Sequence, residues 1–216
     1  MRRMRGIKVP PMKGVKIDEI AALSRRRLAP TVTVDQPVDM LQVLEDFDGK
    51  DVRVPSVGTA KTTFAIERLP GHVMARTMLT EGRIVVGLNE RTHDALRFRD
   101  EGWARFTVPH ELGHVKLHLE PLARLTELPH DALALARANP SHRIFEDSEW
   151  QADRLAAAFM APDAGLRFLQ RKGDLNVQHV MATFGMARST ASIRIENFLR
   201  AERERNEQNN NRRRGR

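Results

Sequence analysis

Apolar residues recur at helical spacing in several separate windows of the chain. Ile17, Ile20, Ala21, Leu23 and Leu28 predict a first short helix over residues 17–28, broken by Pro30 and a Thr/Val stretch. A second begins at Asp35-Gln36-Pro37, with proline tolerated in the first turn, runs through Val38, Leu41, Leu44 and Phe47, and stops at Asp48-Gly49. Three strand-like segments follow, Asp51–Ser56, His72–Leu79 and Arg83–Leu88; the last two flank Thr80-Glu81-Gly82, a short hairpin turn. Helical spacing returns over Thr107–Leu119, where Thr107 can cap and Pro109 falls in the first turn. A long connection, 120–147, holds a short helix at Asp131–Ala138. Glu149–Met160 is then a strong helix stopped by Pro162, and residues 176–204 read as two helices around Gly185-Met186. Helices and strands without a fixed repeat predict an α+β fold.

Composition adds limits. The chain has 216 residues, 41% of them hydrophobic and 30% charged, which suits a globular protein with a real core. The longest apolar run, Leu155–Ala161, is far short of the ~20 residues a membrane span needs. The N-terminal MRRMRGIKVPPMKG lacks the apolar run of a secretory signal. Without cysteine there is no disulfide framework and no thiolate metal site, so the cytoplasm is the expected compartment. The net charge of +8 sits at the ends: residues 1–16 carry +6 and residues 200–216 carry +4, leaving −2 for the body. Residues 1–16 and 205–216 are expected to be basic, disordered tails, with nucleic-acid contact not favoured.

One segment carries chemistry. His110-Glu111-Leu112-Gly113-His114 puts two imidazoles four residues apart on one helix face, where both can reach one Zn²⁺. Glu111 lies between them, placed to take a proton from a water that the metal has acidified. A catalytic site of this kind needs a third protein ligand. A histidine six residues after the second is absent, because that residue is Glu120. His118 stands too far along the axis from His110 to share one metal with it. Glu149 and Asp153 lie along the edge of the buried face of their helix. A cation would explain both, with Glu149 as third ligand and Asp153 accepting the free N–H of a ligand imidazole. In the alternative, both carboxylates turn outward and pair with Arg154 or solvent. Glu146 and Asp147 compete as ligands, and His130 and His142 are weaker candidates. Gly113 is expected to permit the close approach of a neighbouring element.

The order RIVVGLN, RFTVPHELGHVKLH, EWQADRLAAAFMAP resembles the ImmA/IrrE family of small zinc metallopeptidases. Element order is similar over roughly residues 17–200, and the two motif helices carry the specificity. Pro109 stands where the family usually has an apolar residue, and Phe159-Met160-Ala161-Pro162 where it has a Leu-Leu-Met-Pro-like string; neither touches a ligand. The resemblance implies a gluzincin-like metallopeptidase core over 17–162: N-terminal helices, a short three-stranded sheet, the His-Glu-x-x-His helix and a Glu-bearing helix. It implies His110, His114 and Glu149 as Zn²⁺ ligands and Glu111 as general base. The expected activity is that of an intracellular endopeptidase, monomeric or weakly associated. Its expected substrate is a helix-turn-helix repressor of a phage, mobile-element or stress circuit. Substrate is expected to add as a strand beside Arg83–Leu88, with the tails contributing little.

Residues 163–204 form an expected helical appendage that looks like a helix-turn-helix, with Arg188, Ser189, Thr190 and Arg194 placed to read bases. The body charge is a poor electrostatic footprint for that role. The alternative reading is a DNA-associated regulatory protein whose metal site is structural or vestigial.

Overall fold

The computed structural model describes residues 6–99, 101–126 and 142–214. Helices α1 (Gly14–Leu28) and α2 (Met40–Phe47) precede strands β1 (Asp51–Val54), β2 (Gly58–Glu67), β3 (Ala75–Thr80) and β4 (Arg83–Asn89). Next come α3 (Glu90–Phe98), α4 (Gly102–Leu117) and α5 (Leu119–Thr126), then a 3-10 turn at Ile144–Glu146. The chain continues through α6 (Ser148–Met160), α7 (Asp163–Lys172), α8 (Val177–Phe184) and α9 (Arg188–Arg214). The class is α+β, as the periodicities imply. The helix expected at Asp131–Ala138 lies outside the described residues, as does His130. Among the described residues no helix is long and apolar enough to cross a membrane.

The sheet has four strands rather than the expected three, in the order β1-β2-β4-β3, with β2 and β4 parallel. The additional strand is β2. Its inward positions Ala60 and Thr62 are one small and one polar, and Phe64 beyond them is only half-buried, so the apolar alternation is weak. Thr62 is buried because its hydroxyl bonds to the Phe47 carbonyl and accepts from the Lys50 N–H at 2.8 Å. This topology corrects one expectation. β4, the Arg83–Leu88 strand, is paired on both sides and cannot receive a further strand; the edges are β1 and β3. β3 and β4 join through Glu81 (φ 46°) and Gly82 (φ 73°), the positive-φ pair of a type I′ hairpin.

Three helix starts also differ from the periodicity, the first being α1, which begins at Gly14 and not at residue 17. α2 begins after Asp39, whose carboxylate accepts from the Leu41 and Gln42 N–H groups at 2.9 and 3.2 Å. α4 begins at Gly102, which leaves Pro109 inside the helix instead of in its first turn. A mid-helix proline costs about 3 kcal/mol. The added turn is driven by burial of Ala104 and Arg105, the latter donating to the Val38 carbonyl at 2.7 Å.

α4 packs between the sheet and α6, with Val108, Leu112 and Val115 in the core beside Ile84, Val86, Leu155 and Phe159. At the α4–α6 crossing, a Cβ on Gly113 would stand 2.9 Å from Ala152 Cα. Glycine therefore permits the approach that the sequence suggested. α6 is also held at its C-terminal end by two buried arginines. Arg25 of α1 donates to the Phe159 and Met160 carbonyls at 3.0 and 3.1 Å, and Arg194 of α9 to the Ala161 carbonyl at 2.8 Å. Cations there satisfy carbonyls that have no partner within the helix and offset its dipole.

The ends of the chain depart from the disordered tails expected. Residues 6–12 form a strap against the start of α6. Val9 N–H donates to Glu146 O at 2.8 Å, Ser148 N–H to Ile7 O at 3.1 Å, and Ile7 and Val9 are buried. A short apolar strap within a basic stretch leaves no periodic signal. α9 continues to Arg214, through the segment expected to be disordered from 205. Arg205 is anchored to Asp163 at 3.0 Å and to Glu202 at 2.6 Å, which ties the helix down at the start of this segment.

Candidate metal centre

α4 presents His110, Glu111 and His114, with His118 at its C-cap, and α6 brings Glu149 and Asp153 across the Gly113–Ala152 crossing. His110 Nε2 and His114 Nε2 are 3.2 Å apart. The Glu149 carboxylate lies 3.2 Å from the first and 3.5 Å from the second. Four ligands at ~2.0–2.1 Å in a tetrahedron stand about 3.3–3.4 Å apart, so the three atoms match one face of such a site. This group could hold a metal ion.

Electrostatics favour a cation there. Burial pulls the His110 pKa down, but its hydrogen bonds to the Asp153 and Glu149 carboxylates and the nearby Glu111 charge outweigh it and hold His110 up at about 10. Glu149 is raised by burial, yet its hydrogen bond to His110 and the charge of His114 bring it to about 2. The same carboxylates that hold the His110 pKa up would stabilise a bound cation.

The other ring nitrogens are engaged behind the centre. His110 Nδ1 meets Asp153 Oδ1 at 3.0 Å, and His114 Nδ1 meets His118 Nδ1 at 3.0 Å. His118 is fully buried, and its Nε2 lies 3.1 Å from Gln151 Oε1. Burial pushes the His118 pKa down to about 4, against the Gln151 hydrogen bond, so the ring is neutral at ordinary pH. Glu111 is buried beside the centre, and Thr77 Oγ1 of β3 donates to its Oε2 at 2.6 Å. Burial raises the Glu111 pKa, opposed by the His110 charge and the Thr77 bond.

The competing candidates are occupied elsewhere. Asp147 caps α6, accepting from Trp150 N–H at 3.0 Å, and pairs with His142 at 3.0 Å. Glu146 accepts from Arg143 N–H at 2.9 Å. Arg154, the partner in the outward-facing alternative, is paired with Asp18 at 2.8 Å instead. Sequence reasoning did not single out Thr77 and Gln151. Thr77 comes from a strand far away in the chain, and Gln151 belongs to no motif of metal-binding residue types.

A cleft of about 620 Å³ opens over the centre, bordered by Met74–Thr77 on one side and by Ile7, Phe106 and Leu122 as apolar lining. α8 and α9 are joined through Gly185, which is left-handed (φ 63°). Arg194, expected to be available for base contacts, is instead 1% exposed and bound to Ala161 and Asp163.

The His-His-Glu group thus converges between two crossed helices, beside a sheet edge. The IrrE N-terminal-like domain model, Peptidase_M78, matches residues 76–196, more than half the chain, and the chain belongs to that family. No curated protein matches it. Among solved structures, a Mycobacterium tuberculosis transcriptional regulator aligns at 14% identity and a TM-score of 0.44. The alignment covers 83% of this chain and 51% of that one, so this chain spans about half its length.

Proposed function

We infer that the protein is a zinc-dependent endopeptidase in which His110, His114 and Glu149 hold the metal. Asp153 orients His110, and Glu111 is the general base. The convergence of the three ligand atoms at tetrahedral spacing, with a buried carboxylate alongside, carries this reading. When bound, the metal supplies Lewis acidity, making water more acidic and a peptide carbonyl more electrophilic. Glu111 then takes a proton from the attacking water and delivers it to the departing amide nitrogen. Its raised pKa suits both halves of that exchange. Thr77 keeps the carboxylate aimed into the cleft while the acid and base forms alternate.

Substrate is held as an extended segment along β3, the sheet edge that borders the cleft. The substrate class is a helix-turn-helix repressor, cut in an exposed segment that opens at low free-energy cost. The test incubates wild type and Glu111→Gln with a panel of helix-turn-helix repressors, with fragments mapped by mass spectrometry and zinc by elemental analysis. Wild type should give one discrete cut. Glu111→Gln should keep zinc and lose ~10²–10⁴-fold or more in rate. Equal loss of zinc and activity in Glu111→Gln would make Glu111 structural and sink the assignment.

A further inference from the structure

Behind His114 a chain of hydrogen bonds leads away from the centre and ends on main-chain carbonyls. Gln151 is 1% exposed, and its Nε2 donates both to Pro10 O at 2.9 Å and to Phe145 O at 2.8 Å. Two carbonyl acceptors fix the orientation of this amide, since the opposite orientation would set its oxygen against both of theirs. Gln151 Oε1 therefore faces His118 and can only accept, so His118 carries its proton on Nε2. His118 Nδ1 is left with a lone pair, and His114 Nδ1 must donate to it. The remaining nitrogen of His114, Nε2, then presents a lone pair to the space between His110 and Glu149.

We propose that Gln151 and His118 are positioning residues that fix the metal-binding tautomer of His114, anchored on Phe145 and on the N-terminal strap through Pro10. This rests on reading His114 as a metal ligand. His110 has the simpler arrangement, a carboxylate on its Nδ1. A carboxylate behind both imidazoles would add a second negative charge to a buried site already holding Glu111 and Glu149. A neutral His-Gln relay sets the second tautomer without that charge. The relay also links residues 6–12 to the centre, so the N-terminal segment contributes to metal binding, contrary to the dispensable tail the sequence suggested.

The tautomers can be read directly in the ¹⁵N-labelled, zinc-loaded full chain by long-range ¹H–¹⁵N correlation. His118 should be protonated on Nε2, and His114 on Nδ1 with Nε2 bound. His118 protonated on Nδ1 would overturn the proposal without any variant being needed. Chelator competition on Gln151→Met then measures the relay, and roughly 10–100-fold weaker zinc binding is expected, as for other groups that orient a ligand. A rise in the Nδ1-protonated form of His118 should accompany the loss. Zinc affinity unchanged in a folded Gln151→Met would refute the relay while leaving the metal site standing. Wild type that takes up no zinc would refute the metal-site reading itself.

Discussion

Gly113→Ala adds one methyl group at the α4–α6 crossing and tests whether helix spacing sets the metal centre. The new Cβ would stand 2.9 Å from Ala152 Cα and 3.1 Å from Ala152 Cβ. Comfortable carbon–carbon contact is about 3.5–4.0 Å, so the helices must part by roughly 0.5–1 Å. Alanine in place of glycine within a helix is favourable by about 1 kcal/mol, whereas overpacking costs about 1–3 kcal/mol. Net destabilisation should thus be small, about 0–2 kcal/mol. The centre is less forgiving. His110 and His114 lie on one helix and Glu149 on the other, with ligand atoms now 3.2–3.5 Å apart. Parting the helices lengthens the Glu149 distances and leaves the His–His distance unchanged. Zinc affinity should fall at least tenfold, read by chelator competition, while thermal unfolding of the metal-free protein shifts by only a few degrees. Gly113→Ala with undiminished zinc affinity would show that the crossing does not control the site.

Glu149→Ala should lose most of its zinc by elemental analysis, whereas Glu146→Ala should keep it, because the Glu146 carboxylate is committed to the Arg143 N–H. Thr77→Val removes a hydrogen bond that lowers the Glu111 pKa. The acidic limb of the pH–rate profile should therefore move to higher pH; a shift to lower pH would contradict the assigned base. Asp163 is raised by burial but brought below its usual 3.8 by Arg194 and Arg205. A depressed folded pKa gives stability that is complete above the unfolded value and lost as pH falls through the folded one. Thermal midpoints of wild type and Asp163→Asn should thus differ at neutral pH, draw together as pH falls past about 3.8 and meet only below the lower folded pKa.

The parts legible in the sequence are those where chemistry and periodicity coincide. His110, Glu111 and His114 share one helix, so spacing alone brings them together. Glu149 was accessible because a carboxylate on the edge of an apolar helix face needs a partner. The expected start of α4 at Thr107 followed from proline's preference for a first turn, a local rule that the burial of Ala104 and Arg105 overrides. β2 was hidden because Thr62 is buried for its hydrogen bonds and not for apolar surface. The strap and Gln151 were hidden for a related reason. Their significance lies in main-chain carbonyls at Pro10 and Phe145, which carry no residue-type signal.

The two arginines at the end of α6 bear on when the protein can become active as it is made. Synthesis delivers His110 and His114 first and Glu149 some 35 residues after His114. α6 is then still missing the Arg194 that holds its Ala161 carbonyl. Until α9 has left the ribosome and packed, the helix bearing Glu149 is secured only by segments made earlier. A nascent chain therefore holds both imidazoles well before it holds a settled third ligand. A chain assembled in this order completes its His-His-Glu group late in synthesis, and a chain truncated before Arg194 should be a poor zinc binder even with His110, His114 and Glu149 all present.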